Sequence, residues 1–255
     1  MFIYLLLILL IIYVILYKNK TLHGFNNYRT FVNENIYDEF YTKLYDEMFD
    51  MIPLYKEQIN EMIPYFGTTN NFLALDSRTG HINQLLSQNM NVTGLDKSYD
   101  MIKLSKEKYP KLNYIQGNYN PSLFKNNLFT HIFAPLFCIN TITDFDNFFI
   151  CMDKWLVHKG YLFVTLYNDS NKSNDSTILN HIINHKYSSY FEENFQYEVE
   201  LDDKLTVKII NNKTRTRTNI QYLTNITEND LVDYSMKIIK NIKMQFCSIC
   251  VLQKN

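Results

Sequence analysis

The sequence predicts a doubly wound α/β domain, a parallel sheet with helices on both faces. Strand-like and helix-like segments alternate between residues 72 and 167, and one strand ends in an acid directly ahead of a capped helix. A third observation bounds that domain: an unbroken apolar run occupies residues 2–17, followed by Lys18 and Lys20.

At 255 residues the chain holds one α/β domain with extensions and can bury a real core. Its net charge of -1 gives no overall pull toward nucleic acid. Residues 2–17 would span about 24 Å as a helix, against a hydrocarbon core of roughly 30 Å that the flanking lysines help to match. A cleaved signal peptide needs a basic start and a small-residue cleavage site, and neither is present. Lys18, Lys20 and Arg29 precede the first acid, Glu34, so residues 2–17 read as a single-pass anchor with the body of the chain cytosolic. Cys138, Cys151, Cys247 and Cys250 suit that compartment as reduced thiols. Cys247 and Cys250 sit three apart in a strand-like segment, which sends their sulfurs to opposite faces and argues against half a zinc site.

Residues 18–34 are polar and unpatterned, a tether. From residue 35, Ile36, Tyr37, Phe40, Tyr41, Leu44, Tyr45 and Met48 recur at helical spacing, and Pro53 kinks or ends that helix before residues 54–66. A turn at 67–70 leads to strand 72–75, helix 82–88, strand 92–95, helix 101–109 and strand 112–115. Strand 130–137 follows, then helix 145–157, a turn at 158–160 and strand 161–167. Beyond a polar loop, the pattern predicts a helix at 177–185 and an antiparallel meander of strands 197–201, 205–210 and 214–223. A helix at 228–238 and a last strand or hairpin at 242–252 complete it.

The run Val92-Thr93-Gly94-Leu95-Asp96-Lys97-Ser98 carries the chemistry. A carboxylate at the C-terminal end of a parallel strand lies in the crevice where open α/β sheets bind nucleotides, and Asp96 can accept both hydroxyls of a ribose diol there. Ser98 caps the next helix, with Asp100 in its first turn.

Four segments in order resemble class I S-adenosylmethionine-dependent methyltransferases. They are Leu73 to His81 in place of the glycine-rich first motif, Val92 to Met101 as "V-T-G-hydrophobic-D-x-S-x-x-M", Gly117-Asn118 as the third motif, and Trp155 to Leu162 as "W-L-x-P-G-G-Y-L". Residues Tyr37 to Asp46 and Thr130 to Ile132 resemble membrane-tethered methyltransferase-like proteins of large DNA viruses. The resemblance implies a Rossmann-like, mostly parallel seven-stranded sheet with an antiparallel β insertion, and S-adenosylmethionine as cofactor. It divides the chain into an anchor (1–17), a tether (18–34) and a methyltransferase-like domain (35–255), itself built from N-terminal helices (35–66), a nucleotide-binding core (67–167) and an insertion with C-terminal strands (168–255). It places Asp96 at the ribose and Lys97 among the cofactor contacts, Asp76, Ser77, Arg78 and Gly80 along the first motif, Asn118 and Tyr119 at the adenine, and Tyr41 or Tyr45 over the cofactor. For Tyr41, Tyr45 and Tyr119 plain core packing is the competing reading. No catalytic residue is assigned, because in-line methyl transfer rests on positioning, with a general base optional; the methyl acceptor stays open, and no metal is implied.

The first motif departs from the family. Aligned on Thr79-Gly80-His81, the family's acid falls on Ala74 and its first two glycines on Asp76 and Arg78; aligned on Leu75-Asp76, the acid is kept and the loop is two residues short. Only 6 glycines occur in the whole chain. Arg78 either fills the space that glycine leaves open or pairs with the cofactor carboxylate. A catalytically silent scaffold on the same fold is therefore the alternative function. A nicotinamide enzyme is disfavoured, since no G-x-G-x-x-G follows the first strand. His181 and His185 read as surface histidines, and Lys213, Arg215 and Arg217 as a solvated basic stripe.

Overall fold

The structure, a computed structural model, describes residues 10–13, 29–68, 70–88, 90–167, 182–183, 195–211, 215–232 and 234–255. Its main sheet has seven strands. These are β2 (Asn71–Leu75), β3 (Asn91–Asp96), β4 (Asn113–Gln116), β5 (Phe129–Ala134), β6 (Leu156–Tyr167), β10 (Met236–Lys243) and β11 (Cys247–Lys254), in the order β10-β11-β6-β5-β2-β3-β4. The five strands β2 to β6 pair in parallel, and β11 and β10 extend the sheet antiparallel. The chain winds outward from β2 through β3 and β4, then returns to β5 on the other side. The switch in direction therefore lies between β2 and β5, where such sheets open a crevice.

Helices cover both faces. Along β2, Phe72 and Ala74 join one apolar cluster, and Leu73 and Leu75 the other, as a period of two demands. The first cluster receives α1 (Glu39–Met48), α2 (Ile52–Met62), α3 (His81–Leu86) and α4 (Tyr99–Lys108); the second receives α5 (Phe145–Trp155). α1 starts at Asp38, whose side chain accepts from Tyr41 N at 3.0 Å, and α2 takes Pro53 in its first turn, where the missing N–H costs nothing. Cys247 falls in the first cluster and Cys250 in the second, so their sulfurs lie on opposite faces.

A second sheet, in the order β1-β9-β8-β7, is made of β1 (Arg29–Val32), β7 (Phe195–Leu201), β8 (Lys204–Asn211) and β9 (Arg215–Tyr222). The meander β7-β8-β9 is antiparallel, and β1 joins β9 in parallel. Residues 29–34, expected as tether, are thus folded: Arg29–Val32 cover the open edge of β9, and a 3-10 turn at Asn33–Ile36 leads into α1.

Three further expectations change. Residues 228–238 are not a helix. Glu228–Leu231 make one 3-10 turn, closed by a capping box between Thr227 and Asp230, and Met236 onward is β10. The 3-10 turn gives that segment its helix-like start, and the strand that follows carries a bulge at Ile239. The turn expected at 158–160 is a kink inside the continuous strand β6, with Lys159 at φ 61° and Gly160 so close to Val157 O and Thr130 O that a Cβ would sit 2.9 and 3.0 Å away. The helix expected at 177–185 lies outside the described residues, apart from Ile182 and an isolated bridge between Ile183 and Phe49. Of the apolar run at 2–17, residues 10–13 are helical and exposed; among the described residues no helix is long and apolar enough to cross a membrane.

Candidate functional site

A cleft opens at the C-terminal ends of β2, β3, β4 and β5. It has two arms that share Asp76, Asp96, Lys97, Thr141 and Gln221. The polar arm, lined by Gly117, Asn118, Tyr119, Asn140 and Asn147, has a free volume of about 340 Å³. The aromatic arm, lined by Tyr37, Tyr41, Tyr45, Phe49, Arg78 and Phe137, has only about 40 Å³.

Asp96 sits at the junction, buried. Its Oδ1 accepts from Ser98 N at 2.9 Å and its Oδ2 from Arg78 N at 2.8 Å. Each oxygen keeps a second lone-pair site for a ligand. Burial, then the neighbouring Asp76 charge, lifts its pKa to about 7, against the two backbone donors and the Arg78 charge.

The loop after β2 explains how this corner is shaped. Asp76 (φ 43°), Arg78 (φ 49°) and Gly80 (φ 86°) all adopt left-handed backbone, at every second residue. Under the alignment on Thr79-Gly80-His81 the first two family glycines fall on Asp76 and Arg78, and both hold a backbone that glycine adopts freely. Ser105, buried on α4, donates to Arg78 O at 2.5 Å and fixes the strained turn from behind. The Arg78 guanidinium lies over the Tyr45 ring, 5.4 Å from its centroid, and donates to Tyr45 Oη and, at 3.4 Å, to Leu136 O. Burial raises the pKa of Asp76, opposed first by the charges of Arg78 and Lys97 and then by hydrogen bonds from Cys138 and Tyr119.

Not every expected contact residue reaches the cleft. Asp76, Arg78, Asp96, Lys97, Asn118, Tyr119 and Tyr41 line it. Ser77 points into the sheet instead, its Oγ packed so close to Gly94 that a Cβ there would lie 2.8 Å from it. Gly80 caps α3 and faces Tyr114, whose Oη would be 2.5 Å from an added Cβ. Both serve the loop rather than the cavity. Tyr119 has a packing role as well, its ring edge-on to Phe148 at 5.1 Å.

Above the cleft, Tyr37, Tyr41, Tyr45 and Phe49 form a ladder along α1, with successive ring centroids 5.9, 6.1 and 5.1 Å apart. Asp46 clamps α1 to the loop by accepting from Thr79 Oγ1 at 2.6 Å, and it also pairs with Lys108 and with His81 at 3.2 Å. The second sheet closes the aromatic arm with Leu205, Val207, Asn219 and Gln221. Arg217 overturns the solvated stripe: it is fully buried, donates to both oxygens of Asp38 at 2.9 and 2.7 Å, to Ile36 O and to Asn219 Oδ1, and stacks on Phe31 at 3.9 Å. Lys213 and the pair His181 and His185 lie outside the described residues. Alternation could have flagged Arg217, since it shares its inward parity with Asn219 and Gln221. Asp46 and Ser105 gave no signal, because their roles depend on elements far apart in sequence.

Residues 75–164 match the family model described as a methyltransferase domain. That match covers about a third of the chain. The chain's fold is that of S-adenosylmethionine-dependent methyltransferases of known structure. A methyltransferase of this kind from Clostridium acetobutylicum aligns over 85% of this chain and 96% of its own, with a TM-score of 0.57 at 15% identity. The S-adenosylmethionine-bound amino pentose methyltransferase CalS10 from Micromonospora echinaspora aligns over 88% and 100%, with a TM-score of 0.60 at 10% identity. DesVI from Streptomyces venezuelae aligns over 86% and 97%, at 0.57 and 10%. No curated protein sequence matches the chain. The matched segment runs from the end of β2 into β6, and so contains Asp76, Arg78, Asp96 and Asn118.

Proposed function

We propose that the protein is a membrane-anchored S-adenosylmethionine-dependent methyltransferase whose domain works on the cytosolic side, like the tethered methyltransferase-like proteins of large DNA viruses. The observation that carries the reading is Asp96, a buried carboxylate with two spare acceptor sites, at the junction of a two-armed cleft beside the switch point of the sheet. The polar arm suits an adenosine. Asn140 Oδ1 is buried there without a hydrogen-bond partner, and an adenine amino group is the kind of donor it lacks. When bound, S-adenosylmethionine supplies an electrophilic methyl group on a positive sulfonium.

The residues of the chain position and enclose. The α1 ladder turns aromatic faces to the arm that would hold the cation, and together with the second sheet it keeps water out. Burial pushes Tyr37 up to about 12 and Tyr41 and Tyr45 higher. Those phenols stay neutral at physiological pH and act as donors rather than bases. Positioning is then the chief contribution of the site.

Titration calorimetry of the full chain with S-adenosylmethionine tests the cofactor reading, and absence of binding would sink it. Carbonate-resistant membrane pelleting that is lost on deleting residues 1–20 tests the anchor; a full-length chain recovered in the soluble fraction would refute it. The apolar run at 2–17 and the lysines after it support that part.

A further inference from the structure

We infer that Asn219, on the second sheet, reads the methyl acceptor by donating a hydrogen bond to it, and that the acceptor is an uncharged group with a carbonyl-type oxygen. The inference rests on the proposed methyl transfer and names the class of molecule that receives the methyl. Along β9 the inward side chains are Arg217, Asn219 and Gln221, all buried. The two outer ones are spent within the chain. Arg217 pairs with Asp38, and Gln221 donates through Nε2 to Asn33 Oδ1 and Tyr222 O, at 3.3 Å each. Asn219 between them is 1% exposed and lines the aromatic arm. Its Oδ1 accepts from Arg217 Nε at 2.9 Å, and since a guanidinium has only donors, that contact fixes which way the amide faces. Its Nδ2 is left buried with no hydrogen-bond partner among the described residues. The cross-strand neighbours, Val207 on β8 and Phe31 on β1, have no side-chain acceptor to offer. A buried donor in that state costs stability until something accepts from it.

The rest of the arm defines what can accept from Asn219. The second sheet and the residue after it contribute Leu205, Val207, Gln221 and Leu223 beside Asn219, and none of these is charged. The charged residues of the arm, Asp76, Arg78, Asp96 and Lys97, all stand at or just after the ends of β2 and β3. A charge held under the second sheet would have no partner there, so the acceptor is neutral. The free volume of about 40 Å³ admits a slim end of a molecule rather than a bulky one. Tyr37, Tyr41 and Tyr45 give that end aromatic faces to pack on. A donor aimed at the atom that receives the methyl would hold the lone pair which that atom must give up. Asn219 therefore reads a second, neighbouring oxygen. On this account the Asp38–Arg217 pair does more than join α1 to β9, because it aims the amide. The rival role is a strut, in which Asn219 serves Arg217 alone and its Nδ2 meets only water.

Two probes of matched shape separate these roles. Cyclopentanone and methylenecyclopentane differ only in C=O against C=CH2. An NMR titration of the full chain loaded with S-adenosylhomocysteine is expected to show the ketone bound at least about fivefold more tightly. In the same titration the side-chain amide protons of Asn219 should shift with the ketone and stay in place with the alkene, a reading that needs no variant. Asn219→Asp keeps an oxygen for Arg217 Nε and turns the donor into a second acceptor, so the preference should vanish or reverse. Asn219→Leu should abolish the preference as well, and should lower the melting temperature because Arg217 loses a partner. A thermal melt checks that both variants fold. Equal affinity for the two probes in the wild type, binding of neither, or a preference unchanged in Asn219→Asp would overturn the inference and leave the cofactor reading standing. Failure of S-adenosylhomocysteine to bind the wild-type chain would overturn the two together.

Discussion

The ends of β2 and β3 lie side by side in the sheet, yet they treat the family pattern in opposite ways. After β3 the chain keeps the expected chemistry: an acid, a lysine and a capping serine, with Asp96 fixed by two backbone donors. After β2 two of the expected glycines are missing, yet Asp76 and Arg78 hold left-handed angles next to a genuine glycine at 80. The contrast teaches that a loop is defined by its dihedral angles before its residues. Anchors behind it, Ser105 on Arg78 O and Asp46 on Thr79, can hold a conformation that glycine would adopt freely.

The strongest way to break this comparison is at the conserved end. Asp96→Ala removes an acceptor for two hydroxyls and should weaken S-adenosylmethionine binding by about 2–4 kcal/mol, measured by calorimetry on protein that still melts cooperatively. Affinity unchanged by that substitution would move the ribose site elsewhere. Next comes the glycine that stayed. Gly80→Ala places a Cβ 2.5 Å from Tyr114 Oη at φ 86°, and should lower stability by about 1–3 kcal/mol in a urea titration. Because Gly80 is outside the cleft, ligand affinity of the folded fraction should hold; a large loss of affinity would make the residue a contact after all.

A third effect separates the two strand ends by pH. The pKa of Asp96, about 7 in the folded protein, stands above the ordinary value of about 4, so folding takes up a proton between these limits. Its contribution to stability therefore falls as pH rises through that window. Ribose hydroxyls donate to the ionised form, so ligand affinity should run the other way, rising by up to about tenfold per pH unit below 7 and levelling above it. Asp96→Asn should flatten the profile, and a slope that survives it would assign the titration to Asp76. The smallest effect belongs to Asn118, whose Oδ1 already accepts from Tyr119 N at 2.9 Å. Asn118→Asp, which restores the family's acid, should tighten binding by only about 0.5–1 kcal/mol.

The parallel core was legible because each strand is short, apolar and followed by its own helix signal, as in 92–102, where Asp96, Ser98 and Asp100 read directly as strand end, cap and first turn. The arms of the cleft were legible only in part. Tyr41 and Tyr45 gave helical spacing but not the guanidinium groups they meet, Arg217 at Tyr41 and Arg78 at Tyr45, and Ser77 looked like a contact until its side chain proved to face Gly94. Where bulges enter, at Ile239 and Lys159, the period of two is lost and the reading fails with it. Arg217 was misread for a different reason: burial of a charge is decided by its partner, and Asp38 lies 179 positions away.

The placement of β11 has a consequence for how the molecule is made. This strand, Cys247–Lys254, follows the other six strands of its sheet in sequence, yet it lies inside the sheet, with β6 on one side and β10 on the other. Until it docks, one edge of β6 is unpaired and β10 has no place in the sheet. The parallel strands before it then wait as an open, apolar-faced intermediate, the kind of species that chaperones hold. Removing residues 247–254 would take away two ladders at once.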